Sequence, residues 1–372
     1  MSAYDTIAAV GGERVIPDTV LPASIPLELS GEVVRGRICT FVDDGGQEWA
    51  LRPDLTLPVA LMEIAGRQEG LSGETRRYYR GPVFRMPSLE TEPLEFEQIG
   101  LERFGAERDV SVDAELYATI CAACAAAAVS AGQSTFGDLA VFPSLVDALD
   151  LPPDVASGLK RAFRQEGGVK AFLDAETNGT AAGLGRRFAG MSKQEIAAAV
   201  DDVFAMTGIR PVGERSTDEI VERLAERAAA PIGDSLTVEQ RAGLEGLLAL
   251  ESPLDEAADR VADIAASLGL SADLPAITDL QHRTDAIAKA APAAFLKDAR
   301  FLTQFGRRFT YYDGFVFEIS RIGDAQGARR PFASGGRYDS LLMGLSGGDV
   351  DATALGGVVV PHRLRAAAEA VS

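Results

Sequence analysis

The run Phe96-Glu97-Gln98-Ile99-Gly100-Leu101-Glu102-Arg103-Phe104 sets a carboxamide and a carboxylate on either side of a glycine. As a strand its period of two puts Gln98, Gly100 and Glu102 on one face and Ile99 and Leu101 on the other. A glycine inside a strand often marks the close approach of a ligand or another backbone. Two polar groups flanking such a gap could hold a small ligand's donors; the alternative is a half-solvated sheet face. Upstream, Arg77-Tyr78-Tyr79-Arg80-Gly81-Pro82-Val83-Phe84-Arg85 reads as a second strand ending in an arginine. The planar guanidinium of Arg85 suits an anion, or else a surface ion pair with Glu90, Glu92 or Glu95 of the connecting turn. In Leu51-Arg52-Pro53-Asp54-Leu55-Thr56, Asp54 or Thr56 is placed to cap a helical stretch over 58–66. Farther on, Arg307-Arg308-Phe309-Thr310-Tyr311-Tyr312-Asp313-Gly314 gathers guanidinium and phenol groups at a strand entrance. A carboxylate and an aromatic ligand could both be satisfied there, unless the arginines form a solvated edge.

The elements that must position these residues fall into three textures. Residues 1 to about 150 are mixed, with β-type runs at Gly31-Glu32-Val33-Val34-Arg35 and Arg37-Ile38-Cys39-Thr40-Phe41-Val42 beside a helix over about 110–131. Residues 151–297 read as helices. Within them Leu254, Val261, Ile264 and Leu268 form an apolar stripe that opens at Ser252-Pro253, as N-cap and first turn, and closes at Gly269. β texture returns in Tyr311-Tyr312-Asp313-Gly314-Phe315-Val316-Phe317-Glu318-Ile319 and in Leu355-Gly356-Gly357-Val358-Val359-Val360. The expectation is an α+β protein: an antiparallel sheet, flanked by helices, assembled from 1–150 and 298–372 and interrupted by a helical insertion over 151–297.

Composition narrows the function. The chain of 372 residues carries 36 Lys+Arg against 55 Asp+Glu, a net charge of −19, so phosphate-neutralising nucleic-acid binding would need a concentrated basic face that no stretch of the sequence supplies. An apolar content of 47% excludes disorder, and the length accommodates two or three folding units. No basic leader with an apolar core and no membrane span are evident, and three cysteines cannot build a disulfide framework, which points to the cytoplasm. Cys121-Ala122-Ala123-Cys124 has metal or redox spacing but lacks a second pair or a nearby His, so it reads as small residues on an Ala-rich helix, with no metal or other cofactor implied.

Taken in order, Leu51-Arg52-Pro53-Asp54-Leu55-Thr56, Tyr79-Arg80-Gly81-Pro82-Val83-Phe84-Arg85, Phe96-Glu97-Gln98-Ile99-Gly100-Leu101-Glu102, Asp113-Ala114-Glu115-Leu116, Tyr311-Tyr312-Asp313-Gly314-Phe315-Val316-Phe317-Glu318 and Gly335-Gly336-Arg337-Tyr338-Asp339 resemble the class II histidyl-tRNA synthetase catalytic core over about 1–150 and 300–365. The resemblance implies that Asp54, Thr56 and Gln98 hold the α-amino group of histidine. By the same resemblance Glu102 and Tyr312, with neighbouring Tyr311, lie beside the imidazole, and Arg307 takes the carboxylate. Arg85 and Arg363 match arginines that grip ATP.

The departures from that family concern its other substrates. Nine residues follow Arg363, where the resemblance would place an anticodon-binding domain, so no tRNA partner is expected. Arg85-Met86-Pro87 has proline where a glutamate usually follows two residues on, and Pro361-His362-Arg363-Leu364 has histidine where a glutamate precedes the arginine. Such an acidic chain with altered ATP motifs resembles the regulatory subunit of ATP phosphoribosyltransferase. That resemblance implies a non-catalytic partner of a short catalytic subunit at the first step of histidine biosynthesis, self-associated as a dimer or higher within a hetero-octamer, with L-histidine as feedback effector. Two other readings stay open: a free-standing enzyme that activates an amino acid with ATP for a non-tRNA acceptor, and a ligand-free scaffold. An adenylating enzyme needs a metal–ATP clamp, so Pro87 and His362 discriminate.

Overall fold

In the computed structural model, residues 1–88, 92–165, 167–177, 191–207, 221, 236–306, 310–323 and 330–369 are described. Their strands are Glu13–Arg14 (β1), Val20–Pro22 (β2), Thr40–Val42 (β3), Glu48–Leu51 (β4), Thr75–Phe84 (β5), Glu95–Phe104 (β6), Gln133–Asp138 (β7), Glu251–Pro253 (β8), Arg300–Leu302 (β9), Phe315–Ser320 (β10), Ala333–Arg337 (β11) and Ala354–Val359 (β12). Nine form one sheet in the order β1-β5-β6-β12-β11-β10-β7-β9-β8, and β2-β4-β3 form a small second sheet. The large sheet is antiparallel apart from β1 on β5 and β7 on β9.

Strand β6 sits inside this sheet, paired along its whole length to β5 and through 99–104 to β12. Both of its faces are covered: Ile99 and Leu101 are buried, and so are Gln98 and Glu102. A half-solvated face is therefore ruled out for β6, which the Thr56–Gln68, Ala3–Ala8 and Pro361–Glu369 helices contact, while the Val110–Ala126 helix packs on the neighbouring β12. The first helix is seated by Leu57 and Val59, each fully buried and worth about 1.5–3 kcal/mol of transfer free energy, and by the smaller Ala60. On the other face, Ile120 and Leu116 press against β12 so closely that a Cβ on Gly357 would meet them at 2.8–3.4 Å.

Several local expectations give way to tertiary context. Gly31 to Arg35, β-type in propensity, contains the short helix Glu32–Arg35, begun by Val34 and Arg35 N–H groups donating to the Gly31 carbonyl. Of 37–42 only Thr40–Val42 is strand. The alanine-rich helix stops at Ala126 rather than near 131: Val129 N–H donates to the Cys124 carbonyl and Ala128 N–H to Ala125, with Ala128 at φ 65°. This is the hydrogen-bond pattern of a Schellman cap without its usual glycine, which propensity alone does not announce. Ser252 and Pro253 lie in edge strand β8, and the helix expected to begin there starts at Ala257. Burial pushes the Cys121 thiol up to about 12 and raises Cys124 as well, and among the described residues no group of potential metal ligands includes them.

The chain divides into two compact units, 1–149 with 243–372, and 150–242. The described parts of the second unit are helices, including Pro153–Phe163, Gly168–Thr177 and Lys193–Thr207, with a small cluster at Ile196, Val200 and Val221. Residues 243–297 thus belong with the sheet instead of with the helical insertion expected over 151–297. The reason is electrostatic as well as apolar. Arg283, on the Pro275–Ala290 helix, donates to Asp113 at 2.8 Å and also pairs with Asp138 of β7. Arg337 of β11 makes two further bonds to Asp113, at 2.6 and 3.0 Å, and one to Asp339 at 3.2 Å. Asp113 is 1% exposed, and a buried carboxylate is stable only while its cations stay with it. Asp113→Ala leaves two guanidinium groups in the interior short of charge and is expected to cost about 3–5 kcal/mol. Chemical denaturation checks this, and an unchanged midpoint would show the network to be dispensable.

Candidate functional site

Glu102 is fully buried at the centre of the sheet face covered by the Thr56–Gln68 helix. Its Oε1 accepts from Thr56 Oγ1 at 2.8 Å and from Tyr79 OH at 2.7 Å, and its Oε2 accepts from Tyr338 OH. Burial pushes the carboxyl up to about 7, against the lowering by the Tyr338, Tyr79 and Thr56 hydroxyls, with the Asp54 charge adding to the rise. The balance is close because bonds to a charged acceptor supply about 1.5–3 kcal/mol each, whereas removing a carboxylate from water costs several kcal/mol.

Glycines make this seat possible. Gly356 of β12 stands directly opposite Glu102, and Gly336 of β11 directly opposite Gly356, so one row crosses three strands. A Cβ on Gly356 would overlap Glu102 Oε2, and one on Gly336 would lie 3.0 Å from the Tyr312 ring. Gly100 serves differently from the sequence expectation. The space above it is filled by Tyr79, its cross-strand partner, whose OH would lie 2.7 Å from an added Cβ. The gap between Gln98 and Glu102 is a slot for a phenol of the chain itself.

Asp54, between β4 and the Thr56–Gln68 helix, is 4% exposed. Its Oδ1 caps the helix by accepting from Leu57 N–H at 3.0 Å, while its buried Oδ2 has no hydrogen-bond partner. Burial raises the carboxyl, opposed by the Leu57 N–H and the Arg85 charge. The helix start thus uses one oxygen of the carboxylate and leaves the other without a hydrogen-bond partner. Gln98 Oε1 accepts from Leu55 N–H at 3.2 Å. Beside these polar groups stand the rings of Tyr311, Tyr312 and Tyr338, with centroids 4.8–6.1 Å apart. Asp54 acts electrostatically on Glu102, Tyr79, Tyr311 and Tyr312, all of which it raises. Arg307 lies outside the described residues.

Arg85 leaves the end of β5, donates from Nε to the Pro53 carbonyl at 2.7 Å, and stands over the Phe96 ring at 5.5 Å. Arg363, on the Pro361–Glu369 helix, stands over the same ring at 5.6 Å, and His362 meets its edge at 5.7 Å. The structure thus brings the two arginines singled out in the sequence onto one aromatic ring, next to the segment that carries Asp54. It also adds residues given no role above. Tyr79 and Tyr338 were legible as neighbours of the motifs but not as donors to Glu102, because only the register of β5 and the turn after β11 aims them.

Several similarities to known proteins accompany this geometry. The Histidyl-tRNA synthetase family matches residues 2–195 and 189–359. The ATP phosphoribosyltransferase regulatory subunit of Chelativorans sp. (strain BNC1) is 34% identical over 342 residues, covering 89% of this chain and 87% of that protein. That of Mesorhizobium japonicum is 34% identical over 336 residues, covering 86% and 84%. Among solved structures, an ATP phosphoribosyltransferase regulatory subunit/histidyl-tRNA synthetase from Bacillus halodurans C superposes with a TM-score of 0.62 at 20% identity, covering 98% of this chain and 76% of that one. The histidyl-tRNA synthetase of Nostoc sp. PCC 7120 gives 0.59 at 16% identity, covering 99% and 70%. At these identities the structures establish the fold.

Glu102 supplies a test of the site's electrostatics. Its folded value of about 7 lies above the ordinary 4.5, so its stabilising contribution is fully present below about 4.5 and is lost as pH rises through about 7. Glu102→Gln cannot ionise and is expected to flatten that part of the stability–pH curve, measured by denaturation between pH 4.5 and 8. Parallel curves for native and variant chains would mean that Glu102 ionises normally. Gly356→Ala displaces the same carboxylate and is expected to destabilise the chain in the same measurement at pH 7.

Proposed function

The chain belongs to the ATP phosphoribosyltransferase regulatory subunit family, whose sheet is that of histidyl-tRNA synthetase, and from this we propose that its synthetase-type pocket is a sensor for L-histidine. In this reading the chain is a regulatory and activating subunit, not the catalyst, of the first step of histidine biosynthesis. Its partner is a short-form catalytic subunit, which it joins in the cytoplasm as a self-associated dimer or higher within a hetero-octamer, without tRNA. Among the described residues no helix is long and apolar enough to cross a membrane.

The observation that carries the reading is the unpartnered, buried Oδ2 of Asp54 a short electrostatic reach from Glu102 and the tyrosines. Histidine has one ammonium, one imidazole and one carboxylate. The ammonium would complete Asp54, supported by Thr56 and Gln98. The imidazole would lie against Tyr311 and Tyr312 and exchange a hydrogen bond with Glu102. Arg307 would take the carboxylate. A ligand held this way regulates a partner only through a difference in affinity between two states of the assembly, and the partner's substrates must shift histidine affinity reciprocally.

The test is the steady-state rate of a short-form catalytic subunit, with and without the chain, each with and without L-histidine. Activation by the chain that histidine reverses is the expected result. Asp54→Asn should raise the histidine concentration for half-inhibition at least tenfold, since a buried charge left without its partner costs about 2–5 kcal/mol. No activation, or inhibition unchanged by Asp54→Asn, would overturn the reading. Amino-acid-dependent pyrophosphate exchange would then test for a surviving adenylating enzyme.

A further inference from the structure

Among the described residues, the buried carboxylates are Asp54, Glu63, Glu102, Asp113 and Asp138, and they divide by partner. Glu63 accepts from Nε of Arg67 and from Nε of Arg77, each at 2.8 Å. Asp113 is paired with Arg283 and Arg337, and Asp138 with Arg283. The two carboxylates of the candidate site have no guanidinium hydrogen bond. Arg85 acts on Asp54 by its charge, Leu57 N–H serves one Asp54 oxygen, and the other has no hydrogen-bond partner. Glu102 is held by the hydroxyls of Thr56, Tyr79 and Tyr338 alone. The difference is chemical. A guanidinium only donates, so it fixes its partner as the anion, whereas a hydroxyl rotates and can donate or accept, so a cage of hydroxyls serves a carboxylate or a carboxylic acid equally. Two buried carboxylates that act on each other without a bonded cation do not both stay ionised, and one takes up a proton instead.

We propose that Glu102 carries a proton before ligand binds and that the ammonium group of the amino acid displaces it, so that the site is loaded in exchange for a hydrogen ion. The proposal rests on the histidine reading and adds the condition under which that site fills. Of the two carboxylates, Glu102 is the one suited to hold the proton. Asp54 stands at a helix start, where the Leu57 N–H and the Arg85 charge both favour its anion. The titratable groups that act with Glu102 are Asp54, Tyr79, Tyr311, Tyr312 and Tyr338. Burial raises all four phenols above their ordinary value, so they stay neutral near pH 7 and leave the carboxylates to titrate. An ammonium set against Oδ2 of Asp54 adds one positive charge to the pocket and favours the Glu102 anion. The proton leaves for solvent, the net charge of the pocket is conserved, and the carboxylate is free to accept from the imidazole N–H. Because the bound form holds fewer protons than the free form, affinity rises with pH through about 7, where burial places the Glu102 carboxyl.

Titration calorimetry of the full chain at pH 7, in two buffers of different ionisation enthalpy, counts the protons released per ligand bound. The ligands are L-histidine and its isostere with a triazole in place of the imidazole. The triazole ring does not titrate near neutral pH, so a proton released on its binding comes from the protein. The isostere is expected to release about half a proton at pH 7 and to bind about tenfold more tightly at pH 8 than at pH 6. With histidine the native chain should release about half a proton more than Glu102→Gln, the remainder belonging to the ligand's own ring. Tyr338→Phe removes a hydroxyl that favours the anion, and should move the rise in affinity to higher pH. Binding with no proton released from the protein and no dependence on pH would overturn the proposal and leave the histidine reading standing, as would a release that persists in Glu102→Gln. If the native chain binds neither ligand, the histidine reading falls and the proposal with it.

Discussion

Burying one carboxylate constrains much of this molecule. Glu102 has no exposure, and its two oxygens are satisfied by hydroxyls from the start of a helix, from a neighbouring strand and from a turn two strands away. Each donor must be held in place for the others to matter. The Thr56–Gln68 helix is therefore pinned by fully buried aliphatic residues, β5 is paired to β6 over ten residues, and Tyr338 follows directly on the Arg337 clamp. The glycines opposite Glu102 supply the remaining condition, because any side chain at Gly356 would occupy the carboxylate's own volume.

Charge is divided between two neighbouring regions of this unit. Around Glu102 and Asp54 it is negative, with the Glu102 oxygens hydrogen-bonded and Oδ2 of Asp54 left without a hydrogen-bond partner. Around Phe96 and the Pro361–Glu369 helix stand Arg85 and Arg363, with Glu92 paired to Arg37 and Arg330. Arg85 joins the two, since it supports Asp54 electrostatically while depressing Arg363. A net charge of −19 conceals this local excess of arginine, which arises from residues as far apart in sequence as Arg37 and Arg363. No linear stretch of the chain is basic enough to have disclosed it.

The fold was legible where a residue's environment follows from its own sequence neighbourhood. Alternation in 96–104 and the β-branched and aromatic residues of 315–320 and 354–359 correspond to strands because period two and β-type side chains favour an extended backbone. Gly31 to Arg35 misled because the hydrogen bonds of a short turn to Gly31 override the β propensity of its valines. The extent of the sheet unit misled for another reason. A helix reads the same whether it packs in an insertion or against a sheet, and Arg283 has no feature that names Asp113, 170 positions away, as its partner.

The α+β class and the strand that carries Gln98 and Glu102 could be read from residue order and type, because period two and motif order are local properties of the chain. The partners of each group come from the three-dimensional packing. It gave Asp54 one capping oxygen and one open oxygen, filled the slot over Gly100 with Tyr79, surrounded Glu102 with three hydroxyls, and placed Glu92 among arginines. The physical reason is that hydrogen bonding and desolvation depend on distances of a few ångströms between residues that strand register and helix packing bring together, and those distances are not encoded in local pattern.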